Sequence, residues 1–283
     1  MKNFTFLALQ GPNGKPDDLA RIAEKAVAVG GRLNVLHLGP VPLLPYALTP
    51  HPYGMPTIPD SWVEKRNTMA RNLAEHQKET REYLLKQGLS GEVSTFCVEP
   101  SAFHDIVGLR SIFCDVGIVL DSLRSSKVTF DNIVYGLLFD GPGPAILNTE
   151  KNPKALSPDN VFIAWDSSVP AIRAVRAALP LLKEAKEVTI ACLDADPSRY
   201  ADGQSPGSDL ATWLSHHGVN VTVQEYATGH DNVGGALQMR AKETTADLVV
   251  MGAYGRSRWN ERFFGGTTET MIAQRDLPVL LAH

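Results

Sequence analysis

At 283 residues the chain has room for two ordinary domains or one large one. Its 43% hydrophobic and 20% charged residues exclude a disordered chain, and a net charge of −4 offers no basic field to nucleic acid. No stretch reaches the ~20 apolar residues of a bilayer span, and the start MKNFTFLALQGPNG lacks a signal-peptide cleavage site, so no membrane partner is expected.

Phe4 to Leu9 is predicted as a first strand, closed by the turn Gln10 to Gly14. From Asp17 to Val29 the residues Leu19, Ile22, Ala23, Ala26 and Val29 recur at helical spacing, and Gly30 and Gly31 stop the helix. Leu33 to Leu38 is a second strand. Seven of the chain's 19 prolines lie between Pro40 and Pro59, which excludes a helix or a central strand there. A long surface loop is expected instead, as a lid or a partner-contact segment. Ser61 with Glu64 forms a capping-box pattern for a polar helix running to about Gln87 and stopped by Gly88. Strand Val93 to Val98, helix Ala102 to Phe113, strand Val116 to Leu120, helix Val128 to Leu138 and strand Pro144 to Leu147 follow. This alternation predicts a parallel α/β sheet.

Asn148 to Asn160, NTEKNPKALSPDN, is polar with two prolines and reads as a linker between a domain at 1–147 and one at 161–283. The pattern then restarts with strand Val161 to Trp165, helix Ala171 to Lys183 and strand Val188 to Leu193. A Gly/Ser/Pro loop spans Pro197 to Ser208. Helix Asp209 to His217, strand Val219 to Tyr226, helix Val233 to Thr244, strand Leu248 to Met251, helix Thr268 to Gln274 and strand Val279 to Ala282 complete it. The first units of the halves align at an offset of about 155 residues, as a tandem duplication would. Leu19, Ile22, Ala23 and Ala26 then fall opposite Val175, Ala178, Leu179 and Leu182. The cysteines Cys97, Cys114 and Cys192 are odd in number and lie in apolar contexts, as reduced thiols of a cytoplasmic protein would.

The stretch ADLVVMGAYGRSRWNERFFGGTTETM, Ala246 to Met271, carries most of the chemistry. An apolar strand opens into Gly252 and Gly255, and after nine intervening residues come Gly265 and Gly266, then Thr267 and Thr268. Glycines let a backbone approach a ligand closely, and the free N–H groups of a helix start beside threonine hydroxyls make an anion site. The alternative is a set of turn glycines. Arg256 and Arg258 can reach phosphate oxygens or stand as solvated surface charges. Asp166, directly after strand Val161 to Trp165, is placed for a ribose hydroxyl or adenine amino group, or with Ser168 it caps the next helix.

Other chemistries are poorly supported. Gly11 to Pro16 has two residues where a P-loop needs four, and proline where the metal-binding hydroxyl belongs. Gly-x-Gly-x-x-Gly after a first strand and Gly-x-Ser-x-Gly are both absent. His216 and His217 are adjacent and point different ways on a helix, which disfavours a metal.

The spacing Gly-x2-Gly-x9-Gly before hydroxylated residues resembles the ATP-binding signature of the universal stress protein family. The resemblance is complete over Val161 to His283. The first half matches in element order only: Asp121 stands at the position of Gly252, and LDSLRSSKVTFDNIVYG has no paired glycines. It is read as a degenerate copy without a nucleotide site. Where the family commonly has Ser or Thr after the third glycine, this chain has Gly266, with hydroxyls one and two places later.

The resemblance implies two tandem open parallel-sheet domains of the adenine nucleotide alpha hydrolase-like, Rossmann-like type. It implies a stress-response regulator binding ATP or a related adenine nucleotide in its second half, Mg2+ accompanying the triphosphate. Adenine and ribose would rest by Asp166 and the Leu193 backbone, with phosphates on Gly252, Gly255, Gly265, Gly266, Thr267 and Thr268 and within reach of Arg256. No base or water-positioning residue stands at convincing spacing, so at most slow ATP hydrolysis is expected. Members commonly dimerise through the last strand, here Pro278 to Ala282. A homodimer, or an intramolecular pseudo-dimer using Pro144 to Leu147, would follow. The alternative reading is a non-nucleotide scaffold with an unknown protein partner.

Overall fold

The computed structural model describes residues 3–41, 58–194, 205–228, 232–253 and 266–283. The first half supplies β1 (Thr5–Gln10), α1 (Ala20–Ala28), β2 (Arg32–Pro40), α2 (Asp60–Lys86), β3 (Val93–Val98), α3 (Phe103–Ser111), β4 (Val116–Val119), α4 (Lys127–Tyr135) and β5 (Ala145–Leu147). The second supplies β6 (Asn160–Trp165), α5 (Val169–Leu182), β7 (Glu187–Leu193), α6 (Ser208–His216), β8 (Val221–Tyr226), α7 (Val233–Glu243), β9 (Leu248–Gly252), α8 (Gly266–Ala273) and β10 (Val279–Ala282). No described helix is long and apolar enough to cross a membrane.

All these strands join one sheet in the order β3-β2-β1-β4-β5-β10-β9-β6-β7-β8. Each half therefore runs in the same order from its outer edge to the middle. Pairing is parallel within each half and antiparallel only at the seam, where Leu147 faces Val279, Ile146 faces Leu280 and Ala145 faces Leu281. The strands 144–147 and 278–282, expected as edges that could pair, thus cover one another within a single chain. Closing two edges this way removes unpaired N–H and C=O groups that would otherwise template association.

Parallel strands covered on both faces should be apolar almost throughout. β4, β9 and β10 obey this, with Val116–Val119, Leu248–Met251 and Val279–Ala282 all buried. One face of the sheet packs α1, α5 and α6, and the other packs α3, α4, α7 and α8. Leu19, Ile22, Ala23 and Ala26 share one core with Val175, Ala178 and Leu182, while Leu179 packs at its margin. Both apolar clusters run continuously across the seam.

Several boundaries differ from the sequence reading, each for a physical reason. α2 starts at Asp60 after an extended Pro59 without a side-chain cap, so Ser61 lies inside the first turn and the expected capping box is not made. Gly88 does stop it, at φ +68°. The helix expected to Leu138 ends at Tyr135 and widens into a π turn, Gly136–Asp140. Gly136 presses on the His104 backbone there, where no Cβ would fit. The supposed polar linker is a packed strap. Asn148, Thr149, Ala155 and Leu156 are buried, and Asp247 Oδ2 accepts the backbone N–H groups of Asp159 and Asn160 at 2.9 and 3.0 Å. The proline-rich loop falls almost wholly outside the described residues, as does most of the Pro197 to Ser208 loop.

Candidate functional site

In the second half β6 lies between β9 on one side and β7 on the other. Connections leaving such a central strand part to opposite sides and open a crevice at the carboxyl ends of the strands. A cleft of about 250 Å³ occupies that position. Its apolar walls come from Ala164 and Trp165 of β6, Leu193 of β7, Met251 of β9, and Val233 and Leu237 of α7. Its polar groups are Asp166, Gly252, and the first turn of α8: Gly266, Thr267 and Thr268.

Six of the nine predicted site residues therefore line a single cleft: Asp166, Leu193, Gly252, Gly266, Thr267 and Thr268. Gly255, Arg256 and Gly265 lie outside the described residues, as does Arg258. The sequence reading missed Ala164, Trp165, Val233, Leu237 and Met251. A signal for two of them existed, since Val233 and Leu237 stand four apart on one helix face.

Local geometry explains how each group reaches the cleft. Asp166 leaves β6 exposed at the rim, and its Oδ1 accepts the Ser168 N–H at 3.1 Å. Ser168 Oγ accepts the Ala171 N–H at 3.2 Å and caps α5. Capping and cleft placement are thus not exclusive: Ser168 caps, and Asp166 holds the turn whose Ser167 is left-handed at φ +56°. At the end of β7 the left-handed Asp194 accepts the Thr228 N–H at 2.7 Å and bonds its hydroxyl, tying β7 to β8. Leu193 stays half-buried against the cleft.

Gly252 has a second reason to be glycine. A Cβ there would stand 2.5 Å from the Ala171 nitrogen and 2.8 Å from the Pro170 carbonyl carbon. Close packing of the α5 start demands its small size whether or not a ligand is bound. Gly266 is the opposite case, with open space where a Cβ would go. The first N–H groups of α8 have no intrahelical acceptor, and the helix dipole places partial positive charge there. Thr267 is half-buried and Thr268 buried beside them. α7 packs tightly on α8, with Gly234 against Thr270.

The corresponding place in the first half is closed. In that half Ala8 pairs with Ile118 and Ile118 with Ile146; in the other, Ile163 pairs with Val250 and Val250 with Leu280. Because Ile146 faces Leu280 across the seam, Leu120 corresponds to Gly252 and Gly11 to Asp166. This corrects the sequence alignment, which put Asp121 opposite Gly252. Leu120 is fully buried, and the chain turns back at once in a 3-10 turn, Asp121–Ser125. Ser122 Oγ accepts the Gly11 N–H at 2.9 Å, and a Cβ on Gly11 would lie 2.5 Å from the Ser122 carbonyl oxygen. From the strap, Glu150 Oε2 accepts the Asp121 N–H at 2.8 Å. Burial pushes the Glu150 carboxyl up to about 7, aided by the neighbouring charges of Asp121 and Asp18 and opposed by that backbone hydrogen bond and by Arg124.

The architecture defines a class: a two-half Rossmann-like α/β protein, its halves joined edge to edge, with an open cleft at the strand ends of the second half. Residues 158–283 match the family model described as the universal stress protein family, so the second half carries a domain of that family. Such a domain implies a part in stress response. Among solved structures, a universal stress protein from Archaeoglobus fulgidus DSM 4304 is similar over 98% of this chain and 95% of its own, at TM-score 0.64 and 16% identity. A protein described as a putative universal stress protein, from Pseudomonas aeruginosa UCBPP-PA14, is similar over 98% and 92%, at TM-score 0.55 and 14% identity. A functionally unknown protein from Pseudomonas aeruginosa PAO1 gives 98% and 92%, TM-score 0.53 and 15% identity. At such identities the likeness shows the fold, over both halves. No curated protein matches the sequence.

Proposed function

We propose that the second-half cleft binds ATP or a related adenine nucleotide, and that the protein acts as a nucleotide-dependent regulator. The observation that carries this reading is the convergence of an apolar slot, a rim carboxylate and a helix start in one cleft at the switch point. An adenine ring suits the walls formed by Ala164, Leu193, Met251 and Leu237. Asp166 would accept a ribose hydroxyl or adenine amino hydrogen bond. Phosphates would meet the N–H groups of Gly266 and Thr267 and the threonine hydroxyls. Asp166 is the sole carboxylate lining the described part of the cleft, so Mg2+ would be held mainly by the phosphates it accompanies. No acid–base pair lines the described part of the cleft, which suits binding better than fast hydrolysis.

Thermal or urea unfolding with and without Mg-ATP tests the proposal. Ligand at 100 times its Kd should stabilise the fold by about 2.7 kcal/mol. No stabilisation at millimolar nucleotide would overturn it. A second reading, an interaction scaffold without nucleotide, is favoured by Gly252, whose packing against α5 accounts for one signature glycine without any ligand. Under that reading the protein partner is the functional ligand, and adenylates leave stability unchanged.

A further inference from the structure

α8 has its first turn on the cleft and its last turn against the seam between the halves. Helix ends leave carbonyls without intrahelical donors; here the Gln274 N–H serves Thr270 at 3.3 Å and Gln274 Nε2 serves Met271 at 3.2 Å. Ile272 is reached from the first half: Arg124 Nη1 donates to its carbonyl at 3.0 Å, and Nη2 to that of Gln274, just past the helix, at 3.5 Å. Nη2 also donates to Asn148 Oδ1 at 2.7 Å. Asn148 Nδ2 in turn donates to the carbonyls of Gln274 and Leu277, at 3.1 and 2.9 Å. Asp121 Oδ1 accepts from Arg124 Nε at 3.2 Å, and the guanidinium lies 4.1 Å from the Phe130 ring centroid. Only 7% of the Arg124 side chain is exposed.

A buried arginine from the first half thus bonds the carboxyl end of the helix whose amino end lines the cleft of the other half. At eight residues α8 is too short to hold its geometry unaided. A cation at its carboxyl end and an anion at its amino end act on the same helix dipole with the same favourable sign. The planar fork adds direction, because it fixes two carbonyls and one amide at once. From these contacts we infer that Arg124, steadied by Asn148, is a positioning residue for the second-half anion site. The closed first half works as the mount for the phosphate-facing helix. This rests on the nucleotide reading above.

Three variants test it: R124Q, R124K and N148G. Asn148 has φ +62°, which glycine adopts freely, so N148G removes the side chain and its bonds without straining the backbone and serves should R124Q fail to fold. Mg-ATP binding is measured by calorimetry, and hydrogen exchange of the α8 amides is measured in the ligand-free chain. R124Q should raise Kd about tenfold and speed exchange in the last turn of α8 by a similar factor, with β6 and β9 unchanged. R124K, which keeps charge but loses the fork, should recover part of both; N148G should cost about threefold. Variants that lower the unfolding midpoint yet bind as tightly as wild type below it would overturn the inference and leave the nucleotide reading intact. Wild type that binds no adenylate would overturn both.

Discussion

The two halves run their strands in the same order, yet among the described residues the second keeps a cleft above its strand ends where the first folds Asp121–Ser125 over Gly11. In the second half β9 ends on Gly252 and the next described element is a helix start facing the cleft. In the first half Leu120 takes the matching place, and Asp121–Ser125 folds straight over Gly11. A few residues at strand ends, not the fold, decide whether a crevice exists. The closed half is then free to serve as support, which is what Arg124 and Asn148 do at the far end of α8.

The largest expected effects come from groups each half cannot change. Gly252→Val should destabilise the second half by about 3 kcal/mol, since its side chain would meet the α5 backbone; urea unfolding measures it. In the first half, burial and then the neighbouring His76 lower the His37 pKa to about 4, from 6.5. The unfolded chain therefore binds more protons between those values, and stability falls as pH drops from 6.5 toward 4. The loss by pH 4 should be about 3 kcal/mol, measured by unfolding at each pH, and H37Q should remove most of this dependence.

Smaller effects sharpen the contrast. Glu150 has a raised pKa, so its protonated form favours the fold: that stability is full below about 4.5 and is lost as pH rises through about 7. E150Q, which keeps an acceptor for the Asp121 N–H, should stabilise by about 1 kcal/mol at pH 8, discounted for partial exposure, and by nothing at pH 4. S168A should cost about 1 kcal/mol through the lost α5 cap. G266A should change stability by less than about 1 kcal/mol, because its Cβ enters open space. Were G252V tolerated as well as G266A, the packing account of Gly252 would be wrong.

Element order and the location of the cleft were legible in the sequence, because apolar runs, helical periodicity and stop glycines such as Gly88 are local signals. So was the clustering of Asp166 with Thr267 and Thr268, through the rule that ligands sit beyond strand ends. Register was not. The counterpart of Gly252 is set by pairing through Ile118, Ile146, Leu280 and Val250, and it lies one residue before the Asp121 that sequence spacing suggests. The strap looked like a polar linker because its asparagines bond main chain far away in sequence, Asn148 to Leu277 and Asn152 to Asp247. Arg124 gave no signal at all: its partners at Ile272 and Gln274 lie almost 150 residues on.

The asymmetry between the halves is tested most directly by the stoichiometry of Mg-ATP binding to the intact chain, measured by isothermal titration calorimetry. One molecule per chain is predicted, with binding weakened by T267V combined with T268V and untouched by substitution of the exposed Ser125 on the closed side. Two molecules per chain, or one that survives the threonine changes and is lost on altering the first half's strand ends, would contradict it.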